Sequence, residues 1–375
     1  MKIGLVCPYN MFQFAGGVQE VVLQLQKQLN ERGHDTKIIT PRPRAHLSAA
    51  PEGMILVGRS AKMNTPFATM VDFGFEADPG EIENILKKEN FDILHFHEPW
   101  IPLLSMQILS RSKAINIATF HGTPPQDIMS KSFLNMVIPY TKSVLKYLHG
   151  YTSVSECAAA YIRSLTNEEV KIIPNGVDLD IYKPIERYKR DSGKKRILYL
   201  GRLEKRKGVK YLIMAYDRLR ESYGNVELII AGKGVKQRSL ERYVELNDIP
   251  DVKFLGYVTD QQKLRLMNEA DVYCSPAPFG ESFGIVLLEA MAIGTPAVAG
   301  NNPGYASVMK DTGLVSLVTP QVTEDFAQRL ELMLFSKPIR KAWLDWATKD
   351  IEQYSFNKIT DQYEAVYKQA LARHV

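Results

Sequence analysis

Short apolar runs alternate with longer stretches of helical spacing along the whole chain. Ile3 to Cys7 is one such run and predicts a buried strand. A Gly16-Gly17 turn follows, and Val18, Val21, Val22, Leu25 and Leu29 then fall on one helical face until Gly33 stops the pattern. Lys37 to Thr40, Met54 to Val57, Phe91 to His97, Ile115 to Phe120 and Tyr151 to Val154 read as further strands, with helical segments between several of them. Strands of this kind alternating with helices predict a parallel sheet covered on both faces.

The pattern breaks after Ile181. Lys183-Pro184 and the polar run ERYKRDSGKK predict a linker, and Arg196 to Gly201 opens a second strand-turn-helix unit. Val226 to Ala231, Val252 to Leu255, Val272 to Ser275 and Pro296 to Ala299 continue it as strands. The fold class expected is therefore α/β, with two doubly wound domains, 1–183 and 184–350, facing a central cleft. Residues 351–375 show helical spacing and no strand, which predicts a helix crossing back to complete the first domain. A length of 375 residues suits two domains, each able to bury a core.

Composition narrows the class. A hydrophobic fraction of 45% with 24% charged residues excludes a disordered or collagenous chain. The net charge of +5 suggests an affinity for anions, but the basic residues form no aromatic-interleaved strip, so no nucleic-acid partner is expected. Cys7, Cys157 and Cys274 lie far apart without C-x-x-C spacing, which supports neither a disulfide framework nor a zinc site and fits a reducing, cytoplasmic location. No run of 18 or more uncharged apolar residues occurs, so membrane contact is expected to be peripheral.

Four segments carry candidate chemistry. In GGVQEVV, two glycines between a strand and a helix serve either a close approach to phosphate or a plain tight turn. In LGRLEKRKG, Arg202, Lys205, Arg206 and Lys207 follow a strand end, where Arg202 and Lys207 face a diphosphate or the four form a solvated charge run before a helix. In PFGESFGIVLLEAMAIGTP, Glu281 and Glu289 are eight residues apart; on one helix the rise between them is roughly 12 Å, suited to hydroxyls at two ends of an extended ligand rather than to an acid/base pair. Glu281 as a helix-start partner and Glu289 as a buried helix residue is the plainer alternative. His95 and His97 share a strand face beside Glu98, but no third metal ligand of suitable spacing is evident, and Asp178-x-Asp180 reads as a turn.

With GGVQ, FHEP, TFHGT, IPNGVD, LGR with RKG, FLGYV, ADVY and GESFGIVLLEAMAIGTP in this order, the chain resembles the retaining glycosyltransferases of family 4, which have the GT-B fold of two Rossmann-like domains. Within that family it is similar to the phosphatidylinositol mannosyltransferases, through MKIGLVCPY, LHFHEP, PNGVD and GESFGIVLLEA. The resemblance implies a hexosyltransferase moving mannose from GDP-mannose, a co-substrate, with no cofactor and no metal required. It puts Gly17 beside the donor diphosphate, His121 against the donor sugar, and Arg202 and Lys207 on the diphosphate. Glu281 would face the sugar and Glu289 hold the ribose, with amides from Ser282, Phe283, Gly284 and Ile285. Val258 and Asp260 would read guanine, with Arg206 and Lys263 in the same donor-binding set. Tyr9, Gln19, Asn64 and Thr123 would line the acceptor site. The implied catalytic group is His121, Arg202, Lys207 and Glu281.

Two departures from the subgroup stand out. KMNTPFATMVDFG lacks the arginine expected to meet an inositol phosphate, and DPGEIENILKKEN lacks the expected basic cluster, with Glu81, Glu83 and Glu89 offsetting Lys87 and Lys88. Residues 129–148 mix apolar and basic side chains and offer either another lipid-contacting helix or a core helix with a basic edge. The acceptor thus stays open between phosphatidylinositol, another lipid and a soluble molecule. Also open are a family 4 glucosyltransferase using a UDP-sugar, an epimerase or phosphorylase of the same fold, and a nucleotide-binding module without catalysis.

Overall fold

The computed structural model describes the chain except residues 13–15, 44–49, 65–69, 76, 102–103, 123–130, 183–192 and 375, and gives the backbone alone at 61–64, 70–73, 75 and 131–137. Two compact units result: Met1–Gly176 joined by Phe356–Val375, and Val177–Ser355. The junctions lie at 176/177 and 355/356, against 183/184 and 350/351 expected from composition.

In the first unit the strands are β1 (Lys2–Val6), β2 (Asp35–Pro41), β3 (Met54–Val57), β4 (Arg59–Asn64), β5 (Met70–Phe75), β6 (Ile93–His97), β7 (Ile115–Phe120), β8 (Gly150–Ser153) and β9 (Val170–Ile172). Seven of them form a sheet in the order β3-β2-β1-β6-β7-β8-β9, every pairing parallel. Successive side chains alternate faces, so each strand feeds two cores. Val6, Phe96, Ala118 and Phe120 pack on one side. Ile3, Leu5, Ile93 and Ile117 pack on the other, against Ile359, Tyr363 and Tyr367 of the C-terminal helix Phe356–His374. That helix therefore belongs to the first unit, tied on its polar edge by Arg32 to Asp361 at 2.6 Å and by His34 to Glu364 at 2.8 Å.

The second unit holds β10 (Lys195–Leu200), β11 (Val226–Ala231), β12 (Val252–Gly256), β13 (Val272–Ser275), β14 (Ala297–Gly300) and β15 (Leu317–Val318). The sheet order is β12-β11-β10-β13-β14-β15, again all parallel. In both sheets the order reverses beside the first strand, between β1 and β6 and between β10 and β13. Such a reversal leaves a crevice at the carboxyl ends of the strands.

The antiparallel hairpin of β4 and β5 falls where the sequence shows only a polar segment, and β9 and β15 are too short, at three and two residues, to carry a period.

Candidate functional site

In the second unit, the chain leaving β10 and the chain leaving β13 meet at the reversal point. Gly201 to Glu204 lead from β10 into a single 3-10 turn, Lys205–Lys207. Gly208 closes that turn at φ 70°, and a Cβ there would sit 2.2 Å from the carbonyl oxygen of Pro276 in the loop after β13. Glycine at this position lets the two loops touch.

Contact between the loops assembles a charge network. Glu281 Oε1 accepts from Lys207 Nζ at 2.7 Å and from Arg206 Nη1 at 2.8 Å. Glu204 pairs with Arg202 Nη1 at 2.9 Å and with Arg206 Nε at 3.2 Å. Three cations share two carboxylates, leaving one positive charge in excess. Burial alone would raise the Glu281 carboxyl, but Lys207 and Arg206 override it and hold it below the usual carboxylate range. Burial likewise pulls the Lys207 ammonium down, opposed by Glu281.

Beside this network begins the helix Ile285–Ile293. Gly284 precedes it at φ 122°, and no side chain caps the start, so the first amides are donors at the positive end of the helix dipole. Phe283 is buried, while Ser282, Gly284 and Ile285 are half-buried. Because the helix starts at Ile285, Glu281 stands outside it, and the separation of the two glutamates is not a helical rise as the sequence spacing suggested. Glu289, inside the helix, accepts from Lys263 Nζ at 2.7 Å through Oε1, while its Oε2 is buried without a partner among the described residues. Lys263 lies on the helix Asp260–Glu269, whose start is fixed by a capping box of Thr259 and Gln262. Val258 is half-buried and Asp260 exposed just there.

In the first unit, Gly17 is the exposed first residue of the helix Gly17–Glu31, which also starts without a side-chain cap. Gln19 Nε2 donates to the carbonyl oxygen of Asn10 at 3.3 Å, and Tyr9 is half-buried in the same segment, its carbonyl accepting from Thr40 Oγ1 at 2.9 Å. Of the other two acceptor candidates, Asn64 is described by its backbone in β4 only, and Thr123 lies outside the described residues.

His121 follows β7 and is buried. Its Nε2 shares a hydrogen bond of 2.9 Å with His97 Nδ1, and the Asn175 side chain lies beside the ring. Burial lowers the ring to about 3, so His121 is a neutral dipole near pH 7 rather than a cation. His95 and His97 do share a face, their ring centroids 4.3 Å apart. His95, however, is engaged by Tyr367 Oη at 2.7 Å and Thr119 Oγ1 at 2.6 Å. Glu98, which follows them at the strand end, accepts the His121 amide at 2.6 Å and the Trp100 indole N–H. Among the described residues no three His, Cys, Asp or Glu side chains converge as a metal set. Asp178 Oδ1 accepts the Asp180 amide at 3.1 Å, a local turn.

Glu204 and Asn175 are absent from the sequence reading. Glu204 sits inside LGRLEKRKG between the cations it pairs, so the motif itself carried the signal; Asn175, in IPNGVD, reaches His121 only through the fold.

Family models described as Glycosyltransferase Family 4 and Glycosyl transferases group 1 match residues 15–181 and 182–350. The chain is 32% identical to a phosphatidyl-myo-inositol mannosyltransferase of Mycolicibacterium smegmatis, over 98% of this chain and 94% of that protein. A protein of the same name from Propionibacterium freudenreichii is also 32% identical over 98% of this chain and 94% of its own length. The fold is similar to that of a sucrose-phosphate synthase from Thermosynechococcus elongatus, with a TM-score of 0.77, 20% identity and 99% of each chain covered.

Proposed function

The chain belongs to the glycosyltransferases of family 4 with the GT-B fold, and on that premise we propose that it transfers mannose from GDP-mannose, with retention, to a hydroxyl of a phosphatidylinositol-type lipid. The observation that carries this reading is the cationic network of Arg202, Arg206 and Lys207 beside an uncapped helix start at the reversal point of the second sheet.

In this reading the bond between the anomeric carbon and the diphosphate oxygen breaks, positive charge grows on the sugar ring, and negative charge grows on the diphosphate. Arg202, Lys207 and the amides at Phe283 to Ile285 stabilise that departing charge, and a divalent ion is not required. The acceptor oxygen bonds the anomeric carbon on the face the diphosphate leaves, and its proton passes to a diphosphate oxygen. Glu281, held as a carboxylate by Lys207 and Arg206, accepts hydrogen bonds from sugar hydroxyls rather than attacking carbon. A retaining hydrolase would need a second carboxylate about 5 Å from it as an acid. Glu289 Oε2, buried and without a partner among the described residues, offers an acceptor for a ribose hydroxyl, and neutral His121 a hydrogen bond for the sugar.

The names of the relatives support mannose as the sugar and phosphatidylinositol as the acceptor. The absence of arginine from KMNTPFATMVDFG favours a second reading, in which the same donor chemistry serves a lipid without a phosphate on its head group, or a soluble acceptor. Among the described residues no helix is long and apolar enough to cross a membrane, so a lipid acceptor would be met at its surface. The test is a matrix of GDP-mannose, UDP-glucose and UDP-N-acetylglucosamine against phosphatidylinositol, diacylglycerol and water-soluble acceptors. A mannosylated inositol lipid supports the first reading, a mannosylated product of another kind the second, and turnover only with a uridine donor refutes both.

A further inference from the structure

Glu98 occupies a costly position for a residue with no part of its own in the chemistry above. It follows β6 at φ 54°, a left-handed conformation that strains a side-chain-bearing residue, where glycine would be free of strain. Its amide donates to the Thr119 carbonyl at 2.9 Å, and the left-handed turn folds the side chain back over the end of β7. There the carboxylate is buried at 2% exposure. Oε1 accepts the His121 amide at 2.6 Å, the Gly122 amide also bonds the carboxylate, and Oε2 accepts the Trp100 indole N–H. All of these partners are donors, so the site is built for an ionised carboxylate or an isosteric acceptor.

These bonds act on the backbone that carries His121, while His97 holds its ring. The strain, the burial and the set of donors converge on one residue. We infer that Glu98 is a positioning residue for sugar transfer, its carboxylate fixing the turn after β7 so that the His121 ring is presented to the donor sugar. This rests on the reading of His121 given above. It yields a specific pH dependence. Burial lifts the Glu98 carboxyl to about 7, against the pull of Trp100, His121 and Gly122. A proton on it would set an O–H against N–H donors and loosen the turn. Among the described residues the titratable groups around it are Tyr9, in the loop after β1, and His97 and His121; burial moves the tyrosine up and both histidines far down, so none of them changes charge near pH 7.

The test compares full-length Glu98→Gln, Glu98→Gln with Trp100→Phe, and His121→Ala in steady-state transfer between pH 5.5 and 8.5, with Tm recorded for each. Glutamine keeps one acceptor oxygen but sets an NH2 group against the indole N–H, and phenylalanine removes that clash. A displacement of about 1 Å at a reacting group costs up to ~100-fold. Glu98→Gln is expected to lower kcat at least tenfold with donor KM changed less than twofold, and to lose the fall in kcat that the wild-type protein shows below about pH 7. The Trp100→Phe partner change should restore part of kcat. Wild-type kcat in Glu98→Gln, an unchanged acid limb, or a loss in KM alone would overturn the inference while His121→Ala is impaired. If His121→Ala retains full activity, the reading of His121 itself fails, whatever Glu98→Gln does.

Discussion

Lys263 and Glu289 form an ion pair of 2.7 Å that ties the helix Asp260–Glu269 to the helix Ile285–Ile293, and the pair leaves one buried oxygen of Glu289 unpaired among the described residues. A buried acceptor without a donor is unfavourable by about 1–3 kcal/mol, so a ligand hydroxyl that reaches it recovers that penalty on binding. Glu289→Gln is expected to weaken GDP binding about 10–100-fold while Tm stays within a few degrees. Isothermal titration calorimetry with GDP checks this, and an unchanged affinity removes the ribose role from Glu289.

Lys207 and Arg206 share one oxygen of Glu281, so in the proposed reaction losing either cation would disturb both the sugar contact and the diphosphate charge. Removing one preorganised charge at a leaving group typically costs about 100–1,000-fold in rate. Lys207→Ala and Glu281→Ala should each lose at least that much kcat with far-ultraviolet circular dichroism unchanged. Near-normal turnover in both variants would remove this network from the active site.

Gly208 is the packing point of the two loops. A methyl group there would press on the Pro276 carbonyl at 2.2 Å and would also strain the left-handed backbone. Gly208→Ala is expected to lower stability by about 2 kcal/mol or more and to impair GDP binding together with it. Urea unfolding followed by tryptophan fluorescence measures the first and calorimetry the second; a variant of unchanged stability contradicts this packing.

His95, His97 and His121 are buried and neutral, with folded-state values of about 3 for His95 and His121 and well below the ordinary range for His97, each chiefly through burial. The unfolded rings protonate below about 6.5 and the folded ones do not, so their contribution is complete above that pH and is lost as pH falls. By pH 4.5 the His95 and His121 rings each remove about 3 kcal/mol, and His97 acts in the same direction. Glu98 works in the opposite sense, because its raised carboxyl favours the folded state as pH falls from about 7 toward 4.5, by a similar ~3 kcal/mol. Three rings outweigh one carboxyl. Stability by urea titration should therefore fall between pH 6.5 and 4.5, and a rise over that window contradicts the burial of these rings as neutral groups.

Much of this molecule is legible in its sequence, for identifiable reasons. Strands such as Ile3 to Cys7 and Leu228 to Ala231 are buried on both faces, so they read as short unbroken apolar runs bounded by glycine or polar residues. The LGRLEKRKG and GESFGIVLLEA segments concentrate their chemistry within a few residues of a strand end, where the motif and the site are nearly the same object. The hairpin of β4 and β5 escaped because nothing in KMNTPFATMVDFG alternates cleanly between apolar and polar positions. The true place of Glu281 escaped because helical spacing continues through SFG, while Gly284 at φ 122° delays the helix to Ile285. Asn175 and Glu98 meet His121 from 54 and 23 positions away in the chain, placed there only by the sheet. No local pattern encodes such pairs.

The most direct measurement is a crystal structure of the protein with GDP-mannose bound. The diphosphate should lie within hydrogen-bonding distance of Arg202, Lys207 and the amides at Phe283 to Ile285, with one ribose hydroxyl on Glu289. A diphosphate seated elsewhere, with Arg202 and Lys207 making no contact to it, contradicts the assignment of the second unit's cations to the leaving group.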